Sequence, residues 1–147
     1  MSQETEVVLR QEQDYRFSVQ FGSGVPTLMT DESPPLGGGT GPTPLQLLAA
    51  AVGNCLSDSL YFAMTKFKQD AKGITTTATA TVDRNEQRRL RVARIVVRAQ
   101  LGAKRSELEH LDRILGQFEQ FCTVAQSVGQ GFPIEVSVLD AEGTTLK

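Results

Sequence analysis

One segment constrains the fold more than any other. From Pro44 to about Phe67 the run PLQLLAAAVGNCLSDSLYFAMTKF carries apolar side chains at helical spacing. Thr43 is placed to cap it, and Pro44 suits its first turn. Such a helix spans roughly 35 Å at 1.5 Å per residue. Between Leu47 and Gly53 it has no polar side chain, so these two turns are expected to be buried on every side. Ala49, Ala50, Ala51 and Gly53 are small enough to let another backbone approach. One domain of 147 residues has difficulty enclosing such a helix, which points to a homodimer formed through it.

Patterns around the helix give an α+β fold class with mainly antiparallel pairing. N-terminal strands are expected within 7–30, at Val7–Leu9, Tyr15–Phe21 and Val25–Met29. The Pro- and Gly-rich stretch 31–43 reads as a flexible loop over a cleft. After the central helix at 44–67, Ile74, Thr76, Ala78, Ala80 and Val82 alternate with threonines, and a second strand ends at Leu101, giving a hairpin over 74–101. Leu108, Leu111, Ile114, Leu115 and Phe118 predict one amphipathic helix over 106–120. A short helical piece follows at 122–129, then a strand at 132–139. The whole reads as a single domain.

Composition excludes several classes. Net charge is −2, with no bulk attraction for polyanions. Six arginines (Arg84, Arg88, Arg89, Arg91, Arg94 and Arg98) gather in the hairpin without interleaved aromatics, so a solvated sheet face is expected and no nucleic acid. No 18-residue apolar run exists, so no membrane span is expected, and the N-terminus has no signal-like apolar core, which leaves a cytoplasmic location. His110 is the sole histidine and lies off its helix's apolar stripe, which disfavours Ser-His-Asp, Cys-His and His-based zinc chemistry. GGGTG at 37–41 lacks the Lys-Ser/Thr ending of a phosphate loop.

What remains is sulfur. Cys55 sits where the apolar stretch gives way to Asn54, Ser57, Asp58 and Ser59. It reads either as a small hydrophobe in a packed helix or as a thiol beneath a cleft. Cys122 follows Phe121 at the start of a helical turn, where free N–H groups can lower a thiol's pKa; a packed core cysteine is the alternative.

The run GPTPLQLLAAAVGNCL, the second cysteine in FCTVAQSV and the closing strand FPIEVSVL resemble the OsmC family of osmotically induced and organic hydroperoxide resistance proteins. That resemblance covers about residues 15–140. It implies curved antiparallel sheets wrapped around two long central helices in an intertwined homodimer. It also implies a thiol peroxidase acting on organic hydroperoxides, with Cys55 peroxidatic and Cys122 resolving. The cycle runs through a Cys55 sulfenic acid and a Cys55–Cys122 disulfide, recycled by an external dithiol such as a lipoyl protein, with no cofactor and no metal. Peroxidase members hold an Arg and a Glu near the thiol. Leu45 stands at the Glu position here, and no Lys or Arg occurs from Phe17 to Thr65, which leaves Arg16 as the candidate thiolate-stabilising residue. Gln46, Asn54 and Asp58 are candidate site-lining residues, and Leu56, Leu60 and Phe62 would suit an apolar substrate tail. The rival reading is a noncatalytic stress or small-ligand-binding protein on the same fold, with inert buried cysteines.

Overall fold

The computed structural model describes residues 2–147, which form two compact units, 2–47 and 48–147.

The first unit is an antiparallel three-stranded sheet in the order β1 (Val8–Gln13), β2 (Arg16–Gln20), β3 (Leu28–Thr30). β3 starts three residues later than the sequence suggests. Gly22 and Gly24 hold positive φ, and Pro26 has no N–H for a ladder, so the chain stays in a turn until Thr27. Residues 31–43 are expected to be flexible but are organised by one side chain. Asp31 is 4% exposed, and its carboxylate accepts hydrogen bonds from the N–H of Glu32 (2.8 Å), Gly38 (3.2 Å) and Thr40 (3.1 Å) and from the Thr40 hydroxyl (2.8 Å). Gly41 is required here, because a Cβ would collide with the Met29 carbonyl. The glycine-rich loop does cradle an anion, but that anion is its own Asp31.

The central helix, α1, spans Pro44–Lys66. Its start is a reciprocal capping box: Thr43 Oγ1 accepts from Gln46 N–H (3.2 Å), while Gln46 Oε1 accepts from Thr43 N–H (2.9 Å). The helix has the length and mean hydropathy (1.3) of a membrane span. Here, however, Val52, Leu56, Leu60, Ala63 and Met64 form a stripe packed into a protein core.

In the second unit that stripe faces a sheet ordered β4 (Ile74–Arg84), β5 (Leu90–Leu101), β6 (Ile134–Leu139). Ile95, Val97, Ala99 and Leu101 alternate inward from β5, as period two requires. Gly53 lets α1 approach β4 closely, since a Cβ there would stand 3.2 Å from that of Ala78. β4 and β5 pair antiparallel, but β5 and β6 pair parallel. The connection between the last two is therefore a crossover, which carries α2 (Leu111–Gln117) and α3 (Thr123–Val128).

The expected helix over 106–120 is broken into three pieces. A 3₁₀ turn at Arg105–Glu107, α2 and a second 3₁₀ turn at Phe118–Phe121 replace it. His110 causes the main break by adopting a left-handed conformation (φ 60°, ψ 21°), which no continuous helix tolerates. Leu108, Ile114, Leu115 and Phe118 still reach the core as the apolar spacing indicates. The expectation for Leu47–Gly53 also needs correction: Ala50 and Ala51 are exposed, so this stretch is buried along one side. The helix's open face continues through Asn54 and Asp58 to Tyr61 and Phe62, which are 63% and 64% exposed.

Candidate functional site

Cys55 lies on the flank of α1, between the buried stripe and the open face, and is half-buried. Cys122 arrives from the crossover. The 3₁₀ turn at Phe118–Phe121 buries Phe118 and ends where Cys122 N–H donates to Glu119 O (3.2 Å). Cys122 then turns out of helical geometry (φ −83°, ψ 96°) and caps α3 with its own sulfur, which accepts from Ala125 N–H at 3.3 Å. This folding brings the Cys122 thiol beside that of Cys55, across 67 residues of sequence (122 − 55). Both cysteines are free thiols.

The electrostatics of the pair are unequal. Cys122 is fully buried, and burial is the main force pushing its pKa from 9.0 up to about 12. The neighbouring Cys55 thiol pushes the same way. Amide N–H groups of α3 oppose this and lose. The helix N-terminus therefore does not activate Cys122 as the sequence suggests. α3 has six residues, and its amides offer too little to offset complete desolvation. At neutral pH Cys122 therefore keeps its proton.

The other expected site residues are placed differently. Gln46 is consumed by the capping box, a role readable from the Thr-x-x-Gln spacing. Asn54 and Asp58 bond one another (Nδ2 to Oδ2, 3.0 Å) on the exposed face of α1. Leu56 and Leu60 point into the core, while Phe62 is open. Arg16 lies in β2 of the first unit, exposed beside a cleft of about 510 Å³ that Tyr15, Asp31, Leu36, Gly38 and Thr40 also line. Among the described residues, Arg16 has no carboxylate within ion-pairing distance. Also among the described residues, no three His, Cys, Asp or Glu side chains are grouped to hold a metal ion.

A cavity of about 310 Å³ is lined by Leu56, Glu119, Ala125, Gln126, Ile134 and Val136, among others, and neither cysteine is part of its wall. Leu56 follows Cys55 in α1, and Ala125 supplies the amide bound to Cys122. Sequence reasoning missed Glu119 and Gln126 on this wall, because neither stands in a motif. It also missed Asp31, whose loop partners lie seven and nine residues onward.

The sequence profile of the OsmC-like protein family matches residues 37–137, which include both cysteines. The chain belongs to the OsmC-like family. Solved OsmC-type structures share its fold. An OsmC-like protein of unknown function from Vibrio cholerae superposes with a TM-score of 0.79 at 16% identity, covering 94% of this chain and 100% of that one. The organic hydroperoxide resistance protein OsmC of Legionella pneumophila gives 0.71 at 15% identity, covering 92% and 96%. An organic hydroperoxide resistance protein from Elizabethkingia anophelis gives 0.73 at 15% identity, covering 94% and 96%. No curated protein matches the sequence. At these identities the neighbours establish the OsmC-like α+β fold.

Proposed function

We propose that this OsmC-like protein is a two-cysteine thiol peroxidase for organic hydroperoxides. The observation that carries this reading is the pairing of Cys55 with a neighbouring, buried Cys122 that retains its proton. In the proposed cycle the Cys55 thiolate attacks the distal peroxide oxygen. The O–O bond breaks, the alkoxide takes a proton and leaves as an alcohol, and Cys55 becomes a sulfenic acid. The Cys122 sulfur then attacks the Cys55 sulfur, the S–O bond breaks, and water leaves with the Cys122 proton. An external dithiol reduces the disulfide by two exchange steps. Because the thiols are already neighbours, the second step needs no large rearrangement.

The cavity that Leu56 and Ala125 help to line supports a substrate with an apolar body. Its walls mix Leu56, Ile134 and Val136 with Glu119 and Gln126, and its volume lies at the lower end of the range for small-molecule sites. Arg16 is the proposed thiolate-stabilising residue, and its lack of a carboxylate partner leaves its charge uncommitted. The open face of α1, with Tyr61 and Phe62 exposed among alanines, is proposed to pack against a second copy of the chain. Two free, neighbouring thiols suit a reducing compartment, in keeping with the cytoplasm.

The test mixes reduced protein with stoichiometric cumene hydroperoxide and follows free thiols and intact mass. Loss of both thiols with a decrease of about 2 Da per chain (two hydrogens) is expected. Cys55→Ser should abolish peroxide consumption, whereas Cys122→Ser should stop after one sulfenic acid per chain. If both thiols of the folded protein survive excess peroxide, they are inert core residues, and the noncatalytic ligand-binding reading replaces this one.

A further inference from the structure

The segment leading into Cys122 is bonded to a part of the chain far from it in sequence. Leu146 and Lys147 lie beside β6: the N–H groups of Leu146 and Lys147 donate to the Val138 carbonyl (2.7 and 3.2 Å), and Val138 N–H donates to Lys147 O (2.9 Å). Val138 is fully buried, so the backbone of Lys147 is fixed to the core. From there the Lys147 side chain crosses to the start of the Cys122 segment. Its Nζ donates to the Leu115 carbonyl (2.6 Å), which belongs to the last turn of α2 and has no helical partner of its own. The ammonium also pairs with the Glu119 carboxylate and stands 5.2 Å from the centroid of the Phe118 ring.

These three contacts are made with residues immediately ahead of Cys122, and one of them continues to it. The Glu119 carbonyl accepts the Cys122 N–H and also the Gln126 side-chain amide (3.1 Å). Lys147 thus grips the side chain of the residue whose backbone fixes Cys122. The paired side chains are 32% and 30% exposed, so the interaction is not a freely solvated surface ion pair. No other lysine or arginine among the described residues is bonded to the 115–122 segment.

We propose that Lys147 is a positioning residue that sets the Cys122 thiol against Cys55 by tying the α2–α3 connection to β6. The proposal rests on the reading that the two cysteines form a redox pair. It makes the cross-tie, and not the local sequence around Cys122, the source of the pair's geometry.

The test measures the equilibrium of the full-length protein with oxidised and reduced dithiothreitol. In that exchange the two protein thiols give up two hydrogens to the oxidised reagent and form the Cys55–Cys122 disulfide. The equilibrium reports how well the thiols are placed, independently of any reaction with peroxide. Lys147→Met keeps the aliphatic stem and removes the charge; it should lower the equilibrium constant about tenfold, the scale of one charge-assisted hydrogen bond. Glu119→Gln should lower it in the same direction, and Lys147→Arg should restore most of it. An unchanged constant in both Lys147→Met and Glu119→Gln, whatever their melting temperatures, would overturn the positioning role while leaving the redox pair intact. A wild-type protein that forms no disulfide in this exchange would overturn the pair itself, and the positioning role with it.

Discussion

Asp31 and Cys122 are both buried acids that accept hydrogen bonds from backbone amides, yet their protons are held oppositely. Asp31 gathers three N–H groups and a hydroxyl between 2.8 and 3.2 Å, and its pKa falls below the usual 3.8 despite burial. Cys122 has one N–H at 3.3 Å to a diffuse sulfur, plus a neighbouring thiol, and its pKa rises to about 12. Burial raises the pKa in both. The difference lies in donor number and distance: several short amide contacts outweigh desolvation, and one long contact does not. The first arrangement fixes a permanent charge that organises a loop. The second keeps a proton on a buried thiol.

The sharpest way to break this comparison is chemical. At pH 8, iodoacetamide should alkylate Cys55 in the native protein and leave Cys122 unlabelled until the chain unfolds, as peptide mapping of the labelled protein would reveal. Labelling of Cys122 first would reverse the assignment of the protonated partner.

A smaller effect is expected from Asp31→Asn, which turns one acceptor into a donor facing amide donors. It should lower Tm by about 5 °C at pH 7. Asp31 has a depressed folded pKa, so its stabilisation is present above the unfolded value of 3.8 and disappears as pH falls through the folded pKa. The Tm gap between wild type and Asp31→Asn should therefore hold from pH 7 to about 5 and close below about 4. A gap independent of pH would mean that shape, not charge, organises the loop.

The smallest expected change is in Gln46→Ala. Removing half of the capping box should cost about 0.5–1 kcal/mol in denaturant unfolding, with peroxide turnover unaltered. A loss of turnover at unchanged stability would return Gln46 to the site.

Sequence periodicity made much of this fold legible, because α1 and the β4–β5 hairpin bury residues at fixed spacing. It failed where single residues override the pattern. His110 has side-chain spacing compatible with a helix but a backbone that is not. The direction of β6 was hidden for a different reason: a strand's alternation is the same whether it pairs parallel or antiparallel. At the site, both cysteines were legible as residues, but the residues around them left the functional and packing readings equally open. The capping role of Gln46 is legible from the Thr-x-x-Gln spacing. Asp31 and Lys147 left no local signal, since apart from Glu32, next to Asp31, their partners lie seven to 32 residues away.

The proximity of Cys55 and Cys122 has a consequence for the unfolded chain. A disulfide there would close a loop of 67 residues (122 − 55) holding β4, β5 and α2. Restricting so long a loop removes entropy from the unfolded ensemble worth about 4 kcal/mol in the chain-entropy treatment. Each oxidation would make the protein harder to unfold, and each reduction would return it to its softer form. The resistance of the chain to heat would then record how recently it had met an oxidant.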